Sequence, residues 1–374
     1  MIKELKIRNF RNIAEARLQF SPRVNIFLGQ NGQGKTNILE SIYLLCSGTS
    51  FRYAENSNFI KTGSSESLLF AKAELNQLDF ELGLQILKSK KTHLINNKKT
   101  TAVEVVKRFP CVIFSPESLT LIKEGDDERR QLVDDLLMSI KPLNVDLISQ
   151  FRKTLKTRNK ILKNFLNAET SKIETENLLE SINPIFLKQA AELCYQRVQA
   201  LQALKPFINS AMQYISQDKN VDISVEYVIS SETATNWEQN QITEKLISRM
   251  KQLHDAELAS GVSLVGPQKH EIVFLYNQNN SRFYCSQGQQ RALILSFKMA
   301  QIVYHRNLHG AYPFLLLDDV LSELDAEKRA SLIQFLSEIN AQIFVTTTDL
   351  SLPLSMKSEN CTVLNIRDGQ IEIK

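Results

Sequence analysis

Three stretches, far apart in this chain, carry residue types that can handle a nucleoside triphosphate. Gly29-Gln30-Asn31-Gly32-Gln33-Gly34-Lys35-Thr36 reads G-x-x-x-x-G-K-T between an apolar strand and a helix. That is the context a phosphate-binding loop needs. Gly29, Gly32 and Gly34 let the backbone turn its N–H groups toward phosphate, and the helix start adds a partial positive charge. Lys35 is then expected on the β- and γ-phosphates of ATP, and the Thr36 hydroxyl on Mg²⁺. Far downstream, Leu315-Leu316-Leu317-Asp318-Asp319 ends an apolar run in two carboxylates. Asp318 is a candidate ligand for Mg²⁺, and Asp319 a candidate catalytic group that polarises the attacking water. Between the two lies Ser286-Gln287-Gly288-Gln289-Gln290-Arg291, ahead of a helix whose N-terminus favours an anion.

The elements that must position these residues alternate between strand and helix patterns. Ile2 to Ile7, Leu18 to Phe20 and Val24 to Leu28 read as strands, and Asn37 to Cys46 as a helix. Residues 68–95 alternate like an antiparallel sheet, with a hairpin turn at Asn96-Asn97. After Gly125 the character becomes helical. Helices are expected over 128–140 and 144–167, and Asp126-Asp127-Glu128 suits a helix start. Asn183-Pro184 reads as the start of the next helix, with a seven-residue row through Leu187, Cys194, Leu201, Ile208 and Ile215. Pro206 should kink or restart it. With Ile148, Leu155 and Leu162 also seven apart on the helix over 144–167, the two seams suggest an antiparallel hairpin arm. Strands return at Val221 to Ile229 and Glu271 to Tyr276. A helix over 288–304, a strand at Phe314 to Leu317, a helix over 326–338, a strand at Ile343 to Thr346 and a hairpin at Asp368-Gly369 follow. The pattern is α/β, divided as 1–125, an inserted arm at 126–220, and 221–374.

Composition sets outer limits. The chain has 374 residues, 43% of them apolar, which is enough for a sizeable core. Its 45 basic and 41 acidic residues leave a net charge of +4, so any anionic partner must be met by local clusters. The five scattered cysteines include no C-x-x-C and read as free thiols of a reducing compartment. No apolar run reaches the roughly 18 residues of a membrane span. The start, Met1-Ile2-Lys3-Glu4-Leu5, has no apolar signal core. A cytoplasmic protein with no membrane association is expected. His305 and His309, spaced i, i+4, lack a third metal ligand and read as a surface pair.

The three stretches together resemble an ABC-type ATPase head, with Ser286 to Arg291 as its signature loop. Ser322-Glu323-Leu324-Asp325 then resembles the D-loop, and Thr346-Thr347-Thr348 occupies the place of a switch histidine, with Thr347 as a substitute sensor. In such ATPases the signature loop of one subunit covers the nucleotide of the other. Further residues narrow the resemblance. Asn9-Phe10-Arg11-Asn12, Asn31 to Asn37, Gly48-Thr49-Ser50-Phe51-Arg52, Phe114-Ser115-Pro116-Glu117-Ser118-Leu119, Arg129-Arg130, Gly266-Pro267 and Leu317 to Asp325 are similar, in order, to the RecF family. The chain departs from that family at Gln268-Lys269-His270-Glu271, where its members usually continue His-Arg-Asp-Asp.

The resemblance implies an ATPase head built from both chain ends and an ATP-dependent homodimer. It implies binding to DNA, single-stranded or duplex and above all gapped, and work with RecR and RecO to bring RecA onto it. Hydrolysis is expected to be weak and DNA-stimulated; an aspartate at 319, one methylene shorter than the usual glutamate, agrees. By the same match Arg11, Asn12 and Arg52 lie beside the nucleotide, with Ser286, Gly288 and Asp325 reaching it across the dimer. Independently, Arg152, Lys153, Lys156, Arg158, Lys160 and Lys163 on the first arm helix are candidate phosphate contacts. So are Lys88, Lys90, Lys91, Lys98 and Lys99 around the hairpin. Two rival classes share the three stretches. A transporter's nucleotide-binding subunit has no need of a helical arm, and a chromosome-structural ATPase needs an arm of hundreds of residues.

Overall fold

The structure, a computed structural model, describes residues 1–52, 55–123, 125–348, 360–367 and 370–373. It divides into two compact units, 1–120 with 210–219 and 286–374, and 121–209 with 220–285. Residues 221–285, which the sequence pattern grouped with the nucleotide-binding part, therefore fold with the arm.

The first unit begins with β1 (Ile2–Phe10), β2 (Ile13–Gln19) and β3 (Val24–Leu28), and then the loop of glycines and α1 (Lys35–Ser47). After α2 (Asn56–Phe59) come β4 (Glu66–Leu75), β5 (Leu78–Leu87), β6 (Lys91–Ile95) and β7 (Lys98–Thr100). They form an antiparallel sheet in the order β2-β1-β4-β5-β6-β7. Asn76-Gln77 and Asn96-Asn97 turn its hairpins with φ of 51°, 64°, 50° and 60°. Two consecutive positive φ values match the twist of a two-residue hairpin, and asparagine tolerates them well. α3 (Ala102–Arg108), β8 (Cys111–Phe114) and the one-turn α4 (Pro116–Leu119) complete this stretch.

The second unit holds α5 (Asp126–Ile140), α6 (Asn144–Leu166) and most of α7 (Lys172–Ser216). β9 (Ile223–Ile229), β10 (Glu232–Thr233), α8 (Gln239–Gln252), α9 (His254–Ser260), β11 (Glu271–Tyr276), β12 (Asn279–Asn280) and α10 (Ser281–Tyr284) follow. α7 does not begin at Asn183-Pro184. It starts at Lys172 and runs through both prolines. Each proline removes one backbone hydrogen bond. The buried row Leu179, Phe186, Ala190, Cys194, Val198, Leu201, Leu204 and Ile208 outweighs that loss, and both prolines lie on the exposed side. Nor is the arm a two-helix hairpin. Leu162 of α6 packs with Leu179 of α7 and Leu258 of α9. The fully buried Arg158 of α6 forms an ion pair with Glu257 of α9 at 2.6 Å.

The chain then completes the first unit with α11 (Gln287–His309), β13 (Phe314–Leu317), α12 (Ala326–Glu338), β14 (Ile343–Thr347), β15 (Cys361–Arg367) and β16 (Gln370–Ile373). The turn expected at Asp368-Gly369 lies outside the described residues. A second sheet runs β16-β15-β3-β14-β13-β8, parallel except for β16. α1 lies between the two sheets and touches β1, β4 and β5 of one and β8 and β14 of the other. Ile38, Leu39 and Ile42 of α1 share one core with Leu5, Ile7, Leu69 and Leu84 and with Phe27, Leu316 and Phe344. The adjacent parallel strands β3, β14 and β13 place their carboxyl ends in a row. Such a row is where ligands bind in α/β sheets.

Candidate nucleotide site

The glycine loop leaves the end of β3 and enters α1. Gly32 and Gly34 have φ of 82° and 106°, a region that side chains resist. Gly29 is needed for a different reason. A β-carbon there would stand 2.4 Å from the Ile366 carbonyl oxygen of β15. Lys35 folds inward and its Nζ donates to the carbonyl oxygens of Gly29 and Gln30 at 2.7 and 3.1 Å and to Asn31 Oδ1 at 3.4 Å. Gln30, Asn31, Gly32, Gly34, Lys35, Thr36, Asn37, Arg52 and Asp319 line a cleft of about 230 Å³. Gln33 does not line it.

Asp318 follows the end of β13, and one of its oxygens accepts from Thr36 Oγ1 and Thr346 Oγ1, each at 2.8 Å. Burial pushes its carboxyl up to about 6, against those two hydrogen bonds and the Arg52 charge, with Asp319 adding to the rise. Thr346 also accepts from the Asp319 backbone N–H at 2.8 Å, and Asp319 sits in the left-handed region at φ 48°. Thr347 is the residue expected as the substitute sensor; the hydroxyl that reaches Asp318 is that of its neighbour Thr346. All but the last residue of β14 are buried, so no alternation of polar and apolar residues marks which threonine reaches Asp318. Thr36 and Asp318 together present hard oxygen donors, a set that fits Mg²⁺. The open arc over Gly32, where a β-carbon would meet nothing within 4 Å, fits a phosphate.

Arg11 and Asn12 sit at the β1–β2 turn. Asn12 stands against Gly34, whose β-carbon would come within 3.1 Å of its amide, and it accepts from Asn37 Nδ2 at 2.8 Å. Arg52 Nη1 donates to Asn37 Oδ1 at 3.2 Å. Arg11 points elsewhere. Its guanidinium grips the fully buried Glu40 through two hydrogen bonds of 3.0 and 2.9 Å. Glu40 carries no role in the sequence pattern, and Asn37 enters it only as the end of the Asn31 to Asn37 run. Asn37 follows the glycine loop directly, and Glu40 has helical spacing from Asn37.

Ser286, Gly288 and Asp325 do not line this cleft. Ser286 caps α11, accepting from Gln289 N at 3.2 Å, and is exposed. Asp325 caps α12 and binds Lys328, whose Nζ lies 3.6 Å from where a Gly288 β-carbon would be. Arg291 donates to Glu323 Oε2 at 3.1 Å, so the signature turn and the D-loop segment are tied together within the chain. His305 is buried, which departs from the surface pair expected with His309.

Three of the basic candidates are engaged, exposed Arg152 donating to Gln131 Oε1 at 2.9 Å and lying 3.5 Å from Asp134 Oδ2. Arg158 is buried against Glu257, and half-buried Lys91 donates to the Gly48 carbonyl at 3.1 Å and lies 4.9 Å from the Phe59 ring centre. Both are held by the fold, because a buried cation must find acceptors. Lys88, Lys90, Lys98 and Lys99, like Arg152, Lys153, Lys156, Lys160 and Lys163, are exposed. No helix among the described residues is long and apolar enough to cross a membrane.

Residues 1–371 match the family described as RecF/RecN/SMC N terminal domain. A DNA replication and repair protein RecF of Lactobacillus delbrueckii subsp. bulgaricus is 33% identical over 372 residues, covering 99% of this chain and 96% of the relative. That of Alkaliphilus oremlandii is 31% identical over 374 residues and covers all of both chains. Among solved structures, the recombination mediator protein RecF-ATP of the RecFOR pathway aligns with a TM-score of 0.87 at 30% identity, covering 100% of this chain and 97% of that one. A Pyrococcus furiosus Smc head with an extended coiled coil aligns with a TM-score of 0.53 at 15% identity and shares the fold alone, over 100% of this chain and 95% of that one. The fold is that of an ABC-type ATPase head assembled from both chain ends, with an inserted helical arm.

Proposed function

The chain belongs to the RecF family, and on that premise we propose that it is an ATP-dependent DNA-binding protein of recombinational repair and replication restart. It closes as a homodimer on ATP, binds gapped DNA, and works with RecR and RecO to bring RecA onto that DNA. The observation that carries this reading is the 2.8 Å hydrogen bond between Thr36 and Asp318, 282 residues apart, beside the glycine loop. Two ends of one chain meet there in the donor set that a magnesium nucleotide requires.

Gly29 to Thr36 hold the phosphates through backbone N–H groups, and Lys35 turns from its loop acceptors toward them. Thr36 and Asp318 would hold Mg²⁺. When bound, the magnesium nucleotide supplies a transferable γ-phosphoryl group with its charge partly neutralised. Asp319 lines the cleft and orients the attacking water. Its short side chain, in a left-handed backbone, makes hydrolysis slow, so ATP serves as a switch. The exposed Ser286 turn, with Gly288 and Asp325, acts on the nucleotide of the partner copy. The exposed lysines of the β5–β7 hairpins and of α6 meet DNA phosphates without reading bases.

A titration of gapped, single-stranded and duplex DNA, with and without ATP over a salt series, tests this reading. Tighter binding with ATP, steepest for gapped DNA and weakened by salt, is expected. Identical affinities with and without ATP count against it.

A further inference from the structure

Two side-chain triads beside the glycine loop are assembled from the same three segments. In the rim triad, Asn37 donates to Asn12 at 2.8 Å and Arg52 donates to Asn37 at 3.2 Å. In the buried triad, Arg11 donates twice to Glu40, at 3.0 and 2.9 Å, and Ser50 Oγ donates to Glu40 at 2.6 Å. Each rim residue is close in the chain to a member of the second triad, in which Glu40 is fully buried and Arg11 and Ser50 are half-buried. Arg11 and Asn12 are neighbours, Asn37 and Glu40 lie one helical turn apart on α1, and Ser50 and Arg52 flank a single residue. Asn37 and Arg52 line the cleft, whereas Arg11, Glu40 and Ser50 do not.

The buried triad has the features of an anchor. Glu40 is completely buried, so its carboxylate needs donors, and all three that it receives come from outside α1. Arg11 keeps a left-handed φ of 53°, with its guanidinium 5.1 Å from the Phe59 ring centre. Phe59 in turn stacks on Phe10 at 6.0 Å. The turn before Asn12 is thus held from two sides. Ser50 also accepts from the Arg52 backbone N–H at 3.0 Å, a direct link from the buried carboxylate to the cation at the cleft.

We propose that Glu40 and Ser50 are positioning residues for the polyphosphate: Glu40 ties the β1–β2 turn and residues 50–52 to α1, and Ser50 holds Arg52 facing the glycine loop. This role rests on the ATP reading above. Neither residue touches the nucleotide; both act through Arg52 and Asn12. A guanidinium held in place loses less freedom on meeting phosphate than one on a loose segment.

Equilibrium binding of a fluorescent ATP analogue to the full chain tests this, with the thermal midpoint recorded for each variant. Ser50→Ala is expected to weaken binding about tenfold, the factor for one hydrogen bond to a charged partner, with little change in midpoint. Ser50→Thr, which keeps the hydroxyl, restores it. In an Arg52→Ala background Ser50→Ala adds no further loss, because it acts through Arg52. Glu40→Gln, of the same size, also weakens binding and stands in should Ser50→Ala lower the midpoint; in the Arg52→Ala background it keeps only the part of its loss that runs through Asn12. Wild-type affinity in both Ser50→Ala and Glu40→Gln overturns the positioning role alone, as do losses that multiply in the Ser50→Ala, Arg52→Ala double variant. A wild-type chain that fails to bind the analogue overturns the ATP reading and the positioning role with it.

Discussion

At Asp318 one carboxylate oxygen takes two hydroxyl donors, Thr36 and Thr346. The sequence identified Asp318 and Thr36, since each belongs to a motif whose chemistry is local. Thr346 lies in a run of three threonines, and nothing in the run says which hydroxyl reaches Asp318. Thr346→Val keeps the shape but removes the donor to Asp318 and the acceptor of the Asp319 N–H. The variant is expected to lose about 1–3 kcal/mol of unfolding free energy in a denaturant titration, because the buried Asp318 carboxylate loses a donor and the half-buried Asp319 N–H its acceptor. Thr346→Ser should recover most of it. An unchanged midpoint in the valine variant would mean that the Asp319 turn does not depend on this hydroxyl.

Among the elements, strands and short helices were the most legible, because their apolar periods are local. Where the structure departs from the local pattern, the deciding partner lies elsewhere in the chain. α7 runs through Pro184 because partners cover its face, and α6 buries Arg158 because α9, about a hundred residues later, supplies Glu257. The carboxylate of Glu257 takes both terminal nitrogens of Arg158, at 3.0 and 2.6 Å, and also accepts from Leu264 N. Glu257→Ala leaves a buried guanidinium without its anion and should cost about 3–5 kcal/mol, read as a drop in the thermal midpoint. His270, in the segment that departs from the family pattern, ties β11 into a second buried network. Its Nδ1 lies 2.9 Å from Tyr227 Oη, which Arg197 approaches at 3.4 Å, while Arg197 pairs with Asp134 at 2.8 Å. Burial holds the imidazole down at about 3, with the Arg197 and Arg130 charges acting in the same direction. Burial and the Lys91 charge likewise hold His93, in the other unit, down at about 4. Each histidine binds its proton more readily in the unfolded chain. Their contribution is therefore complete above pH 6.5 and declines as the pH falls toward 3 or 4, by up to about 1.4 kcal/mol per pH unit for each group. Denaturant midpoints at pH 7.0, 5.5 and 4.5 should fall in order, and His270→Gln should flatten the decline. A variant that follows the wild-type slope would show that His270 is not a source of the acid sensitivity.

For the whole molecule, the decisive geometry is that Ser286 and Gly288 stand apart from the cleft of their own chain. Ser286 is exposed at the N-terminus of the 23-residue helix α11. If it acts on a partner's nucleotide, Ser286→Arg should leave ATP binding by the monomer intact and abolish the ATP-dependent dimer. Sedimentation velocity with and without ATP, beside an equilibrium binding measurement, separates the two effects. Loss of nucleotide binding by a folded, monomeric variant would place the serine in its own chain's site instead.

Local chemistry was decided by the sequence alone: a loop whose glycines permit positive φ, a lysine and a threonine at its end, two acids after an apolar strand, and a serine before a long helix. Each depends on residues within one turn or one strand, so spacing suffices to reveal it. Tertiary structure decided the partnerships: Thr346 on Asp318, Glu40 on Arg11, Glu257 on Arg158, and residues 221–285 folding with the arm. A buried charge or hydroxyl is satisfied by whatever the fold brings within about 3 Å of it, and linear spacing carries no record of that distance.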